Sequence, residues 1–275
     1  MIGISTRALI DPLGLNVHES IYKLEDLGFS HIELGAAHRG DPEKVKDACT
    51  TLSASFSLHS PFPPQEEPFI LNLASLDATV LEASRSDVSE AIAFAASVEA
   101  SHVVVHNGFT GYPTLDLCFG EPSRISGYEK CYEMMVESLR VVVDVAEEFG
   151  VAVGVENLES KHFGYMKNNP REFEAYLSEV EGLGVVLDIG HMFVASRRMG
   201  YEPEDLLNAV RRHIVGIHIS DNDGLSDMHS PPGEGVLPLG KVLPTLPKDC
   251  PWVIELENCN EADIVKAREF LERIN

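Results

Sequence analysis

Residues 184–191 read GVVLDIGH: a short apolar run that ends on Asp188, with His191 three residues further on. An apolar stretch of this length suits a strand buried on both faces, as in a parallel sheet covered by helices. The acid at its end then marks where the strand opens into something polar. Working outward, the same shape recurs in FSLHSPF (His59), HVVVHNG (His106) and VAVGVENL (Glu156). It recurs again in IVGIHISDNDGLSDMH (His218, Asp227, His229) and WVIELEN (Glu255). Strands are expected near 2–5, 30–34, 55–59, 102–106, 152–156, 184–189, 214–219 and 252–256. Between them lie amphipathic stretches at 18–28, 41–53, 75–99, 125–150, 170–181, 203–212 and 260–273. Asp41-Pro42 and Glu202-Pro203 read as helix starts, and Gly28, Gly150 and Gly182 as helix stops.

Eight βα units without a break in composition predict an α/β fold, a single (β/α)8 barrel domain over residues 1–275. The rival is an open doubly wound sheet, which usually carries a glycine-rich phosphate loop after an early strand, and none is visible. In a parallel barrel all strand ends of one sense meet at one mouth, where active sites of that fold lie. Connections leaving strands 3, 4 and 7 are long (60–74, 107–124, 220–237), as expected of the functional face. Phe62, Phe109, Tyr112 and Phe119 in them either cover a ligand or pack against their own loops.

The net charge is −23, from 21 basic and 44 acidic residues. Such a surface repels phosphate backbones and argues against a general nucleic-acid partner. The five cysteines form no CxxC pair and read as reduced thiols, which fits a cytoplasmic location. The opening MIGIST goes straight into a strand with no signal-peptide pattern, and no apolar run approaches the roughly 20 residues of a membrane span. Barrels often pair, so a homo-oligomer is compatible with this fold.

Five of the eleven histidines sit at or beyond C-terminal strand ends: His59, His106, His191, His218 and His229. His31, His102 and His213 begin strands, on the rim that serves stability. Any one histidine is readily explained as a satisfied core or loop residue. Five of them together with Glu156, Asp188, Asp227 and Glu255 would repel or stay unpaired unless metal ions sat among them. Mixed imidazole and carboxylate donors suit zinc, manganese, iron or cobalt. Glu156, Asp188, His218 and Glu255 end strands 5 to 8 in order and form a core set for one divalent ion. His59, His106, His191, Asp227 and His229 would bind further ions, one to three per chain in all, or hydrogen-bond a polar substrate.

These segments resemble the xylose-isomerase-like TIM-barrel superfamily, which includes sugar-phosphate isomerases and epimerases and the endonuclease IV class of abasic-site nucleases. The likeness rests on HSPF with ILNLAS downstream, VVVHNG, VENL, LDIGH, HISDNDGLSDMHSPPGEG and IELEN, and it covers nearly the whole chain. It implies that Glu156, Asp188, His218 and Glu255 are the shared metal ligands. It also matches the other five to the additional ligands with which endonuclease IV holds three zinc ions.

The isomerase branch implies a small sugar or sugar-phosphate substrate, with Glu156 and Glu255 exchanging protons through a metal-bound enediolate. His191 or His229 would orient hydroxyls. The nuclease branch implies clustered zinc ions that make hydroxide and clamp a phosphodiester. Three details favour the sugar branch. The segment before the DxH pair is short and acidic, unlike the HLNDSK-type stretch of endonuclease IV. The turn after strand 6 is LDIGH rather than LDTCH. PFPPQEEPF carries Glu66 and Glu67 where a DNA-penetrating loop should carry basic residues.

Weaker expectations concern the rim. Arg7 would meet a substrate phosphate or a rim acid, and Lys161 and His162 would line the mouth. Arg197 and Arg198 read as solvated. Glu234, in the GEG turn, would accept a hydrogen bond from a ligand histidine. A metal-binding sensor without catalysis is a third reading, opposed by the Glu156/Glu255 pair. No G-x-S-x-G elbow appears, which argues against a serine hydrolase.

Overall fold

The computed structural model describes residues 1–35, 41–63, 69–111, 127–160 and 164–274. Eight parallel strands close into a barrel in the order β1 to β8. In chain order the elements are β1 (Ile2–Ser5), α1 (Arg7–Leu13), α2 (Val17–Asp26), β2 (His31–Leu34), α3 (Pro42–Thr51), β3 (Ser55–His59), α4 (Ala78–Ser97), β4 (His102–His106) and α5 (Tyr128–Phe149). There follow β5 (Ala152–Glu156), α6 (Pro170–Glu179), β6 (Gly184–Asp188), α7 (Ile189–Met199), α8 (Pro203–Val210), β7 (Ile214–Ile219), α9 (Leu239–Val242), β8 (Trp252–Ile254) and α10 (Glu261–Ile274). The eight expected strands are all present, and α1, α7 and α9 are additions. Sequence reading left residues 189–199 as a turn running into an unassigned helical stretch, because a buried helix flush with a strand end lacks a polar start of its own.

Local rules explain most boundaries. Asp41 and Asp77 cap α3 and α4 through their side chains, Pro42 opens α3, and Gly150 ends α5 in the left-handed conformation at φ 68°. Leu24, Ile92, Leu139, Tyr176, Leu206 and Leu271 lie buried on the inner faces of α2, α4, α5, α6, α8 and α10. They pack on outward-facing strand residues such as Phe56, Leu58, Val103, Val105, Val153 and Val155 in one continuous core. At about 1.5–3 kcal/mol for each fully buried large aliphatic side chain, this layer dominates the stability of the fold.

The barrel interior carries many polar side chains, with Val186 and Val215 among them beside Gly154. Contacts that cross between non-adjacent strands show which side chains point inward: His218 of β7 reaches Glu33 of β2, and His59 of β3 reaches Glu156 of β5. Bulky inward residues sit beside inward glycines. A Cβ on Gly216 would lie 2.7 Å from His102 Nε2, and one on Gly3 would lie 2.7 Å from His31 Cδ2. Register then sets the mouth: His106 pairs with Glu156 across β4 and β5, and Asp188 pairs with His218 across β6 and β7.

Candidate metal centre

The nine expected residues converge at the C-terminal strand ends. They form three groups, His59/His106/Glu156, His191/Asp227/His229 and Glu156/Asp188/His218/Glu255, and within each the donor atoms lie inside 4.8 Å of one another. Glu156 belongs to two groups. Its Oε2 lies 2.9 Å from His106 Nε2 and 3.2 Å from His59 Nε2, while its Oε1 lies 3.0 Å from His218 Nδ1. His218 Nδ1 is also 3.5 Å from Glu255 Oε2 and 4.0 Å from Asp188 Oδ2. All nine are buried except Asp227 and His106, which face the cavity.

Three of the candidate ligands are aimed by a neighbour. Asp188 caps α7: its Oδ1 accepts from the His191 backbone N–H at 2.6 Å, which leaves Oδ2 free to face the centre. His191 Nδ1 donates to the Asn157 carbonyl at 3.0 Å, so Nε2 meets Asp227 Oδ2 at 3.0 Å. His59 Nδ1 donates to the Ser60 carbonyl at 2.9 Å, again turning Nε2 inward. Carbonyl acceptors of this kind fix both ring orientation and tautomer in metal-ligating histidines. His229 sits at φ 45°, a left-handed backbone conformation rarely adopted by a non-glycine residue and concentrated at functional sites.

Asp221 holds the β7 loop. It is fully buried and accepts from three backbone N–H groups, those of Asn222 (2.9 Å), Leu237 (3.0 Å) and Gly233 (3.0 Å). Its own backbone pairs with Ser230 in both directions. Gly235 abuts its carboxylate, where any Cβ would collide. That close approach accounts for the second glycine of the GEG turn.

The residues fit a divalent cation. Among the described residues, buried Asp188 Oδ2 and Asp227 Oδ1 accept no hydrogen bond, a costly state for a carboxylate unless a cation satisfies it. Burial works against charge on His218, but Glu33, Glu255 and Glu156 override it and hold its pKa well above the usual histidine value. The same competition, won by Asp188 and Asp227, raises His191, and Asp227 lifts His229 to about 9. Burial pushes Asp188 up to about 6. These are histidine nitrogens ringed by carboxylate oxygens, places that hold a proton when no metal replaces it.

Several expectations need correction. Glu234 is exposed, and among the described residues its side chain accepts from none of the cluster histidines. That work falls to the carbonyls of Ser60 and Asn157. Phe62 is buried against Phe94 of α4 rather than placed over a ligand. Phe109 does line the cavity, packed edge-to-face on Tyr165. Arg7 lines the cavity too, ion-paired with Glu257. Arg198 is exposed but donates to Leu225 O, tethering the β7 loop to α7. Lys161, His162, Tyr112, Phe119, Glu66 and Glu67 lie outside the described residues. Sequence reading missed Glu33, Asn157 and Asp221. Glu33 had a signal, the acid in the strand run HIEL, but it lies one residue inside the strand rather than at its end.

A closed parallel barrel with a buried carboxylate and imidazole cluster at its C-terminal mouth defines a metal-capable TIM barrel. Residues 21–274 match the xylose isomerase-like TIM barrel family, and the chain belongs to it. It is 27% identical over 278 residues to the uncharacterized protein MJ1614 of Methanocaldococcus jannaschii, covering 99% of this chain and 98% of that one. Among solved structures, a D-tagatose 3-epimerase-like protein superposes with a TM-score of 0.77 at 21% identity, covering 99% and 96% of the two chains. An AP endonuclease, family 2, from Brucella melitensis gives 0.72 at 16% identity, covering 99% and 98%.

Proposed function

We propose that this protein is a divalent-metal-dependent isomerase or epimerase of a sugar or sugar phosphate. The observation that carries this reading is the approach of two buried glutamates, Glu156 and Glu255, to the same His218 Nδ1 at 3.0 and 3.5 Å. They sit at the floor of a cavity of about 450 Å³, a size suited to a small ligand. In support, the described lining contributes Glu159 and Glu257 besides the cluster acids, and its Arg7 is already engaged by Glu257. Such a wall is poorly suited to a polyanion. Epimerases among the structural neighbours are compatible with it.

Glu156, Asp188, His218 and Glu255 would hold the ion. When bound, it supplies Lewis acidity at the substrate carbonyl. One glutamate carboxylate takes the proton from the carbon next to that carbonyl, and the C–H electron pair moves into an enediolate. The other glutamate returns a proton, to the opposite face in an epimerase or to the neighbouring carbon in an isomerase. His191 and His229 orient substrate hydroxyls, Arg7 contacts the distal end, and the buried walls exclude water. Ketoses incubated with the metal-loaded protein in D2O should show carbon-bound deuterium by NMR. Glu156→Gln and Glu255→Gln should each slow that exchange about 10²–10⁴-fold. Exchange at the wild-type rate in both variants would sink the mechanism.

A second reading is favoured by the two further ligand groups, which an isomerase with one ion does not need. Together the three groups could hold a multinuclear zinc cluster for phosphodiester hydrolysis. Cleavage of abasic DNA by zinc-loaded protein, without deuterium exchange into ketoses, would select it.

A further inference from the structure

Glu33 lies on β2, fully buried inside the barrel and outside all three ligand groups. Its carboxylate faces the far nitrogen of His218: Nε2 is 3.1 Å from Oε1 and 3.3 Å from Oε2. The contact crosses the barrel, since β2 and β7 are separated by β1 and β8. His218 is thus clasped between Glu33 at Nε2 and Glu156 at Nδ1.

Glu33 is itself held from below by a directional chain of donors. Ser57 Oγ donates to Glu33 Oε2 at 3.0 Å. Having given its proton there, Ser57 accepts from His31 Nε2 at 3.1 Å. His31 Nδ1 is then the acceptor for Ser55 Oγ at 2.9 Å. This order requires a neutral His31, and burial lowers its pKa to about 4. A buried carboxylate is expensive, and removing its partner more so, which argues that such a group persists because it orients something. Carboxylates behind ligating histidines fix the tautomer and raise the basicity of the coordinating nitrogen.

We propose that Glu33 is a positioning residue for the metal centre: seated on His218 Nε2, it keeps that nitrogen protonated and presents a bare Nδ1 to an ion shared with Glu156, Asp188 and Glu255. Ser57 and His31 form the strut that holds Glu33 at that height in the barrel. The inference rests on the four-residue group being a metal site and is independent of which reaction the site performs.

The test uses the full chain and zinc alone. Stepwise zinc affinity is measured by chelator competition for wild type and Glu33→Gln, with melting of both metal-free proteins as the control for folding. Glu33→Gln keeps the shape and an acceptor oxygen but loses the charge. At least one step should weaken tenfold or more, with metal-free melting little changed. Unchanged affinity in a folded Glu33→Gln protein overturns this inference and leaves the metal site standing. Failure of the wild type to bind zinc overturns both. A second measurement needs no variant: ¹⁵N spectra of the zinc-loaded wild type should show His218 protonated at Nε2 and bare at Nδ1. The opposite tautomer would refute the role even if Glu33→Gln does not fold.

Discussion

His191 Nε2 and Asp227 Oδ2 lie 3.0 Å apart although 36 residues of chain separate them. The first turn of α7 and the long loop after β7 are joined at this point, and the same Asp227 oxygen is 2.9 Å from His229 Nε2. One carboxylate thus gathers two imidazoles at the cavity wall. Replacing Asp227 with Ala should lower metal content per chain, measured by elemental analysis after loading with excess zinc. The four-residue group below should still load. Equal metal content in variant and wild type would mean that no ion sits at His191/Asp227/His229.

The raised histidines predict how the metal-free protein responds to pH. His229, with a folded value of about 9 against 6.5 for the free side chain, binds its proton more tightly when folded. Its contribution to stability is therefore complete below about pH 6.5 and is lost as pH rises through 9. His191 and His218 act with the same sign. Melting temperature measured with chelator present should fall from pH 6.5 to 9. Zinc affinity should rise over the same window, because the metal displaces those protons. A metal-free melting temperature that climbs with pH would contradict the cluster's electrostatics.

Asp221 should matter for stability as well as for the site. Asp221→Ala removes the shared acceptor of three backbone N–H groups, that of Asn222 buried and those of Gly233 and Leu237 nearer the surface, in the loop that carries Asp227 and His229. The expected cost is about 2–4 kcal/mol, several degrees of melting temperature for a chain of this size. Zinc stoichiometry should drop in parallel. An unchanged melting temperature would show that the loop holds together without this carboxylate.

The barrel interior predicts an intolerant glycine. Gly216→Ala places a methyl group 2.7 Å from His102 Nε2 and 3.0 Å from its Cε1, so the buried His102 ring would have to shift. Overpacking there should cost about 1–3 kcal/mol by denaturant unfolding. A neutral outcome would mean that the His102 ring moves freely, against the close packing described.

Much of this protein was legible from its sequence. Each strand is a short apolar run between amphipathic stretches, so period and length alone located all eight, and the acid or imidazole at a strand end marked the mouth. GVVLDIGH and WVIELEN are readable because closed-barrel geometry turns a position along a strand into a depth in the barrel. What escaped were relationships that local pattern does not encode. Glu234 read as a partner for a histidine because it sits in the right turn, yet the folded loop leaves it exposed to solvent. Glu33 was passed over because nothing in HIEL reveals that β2 faces β7 across the barrel. Composition, periodicity and strand-end chemistry determined the fold and the nine converging residues, since these depend on which face of each element is apolar. The tertiary structure alone decided which nitrogen of His218 meets which carboxylate and which oxygen of Asp188 stays free, because those are set by barrel closure and by contacts between residues up to 185 positions apart.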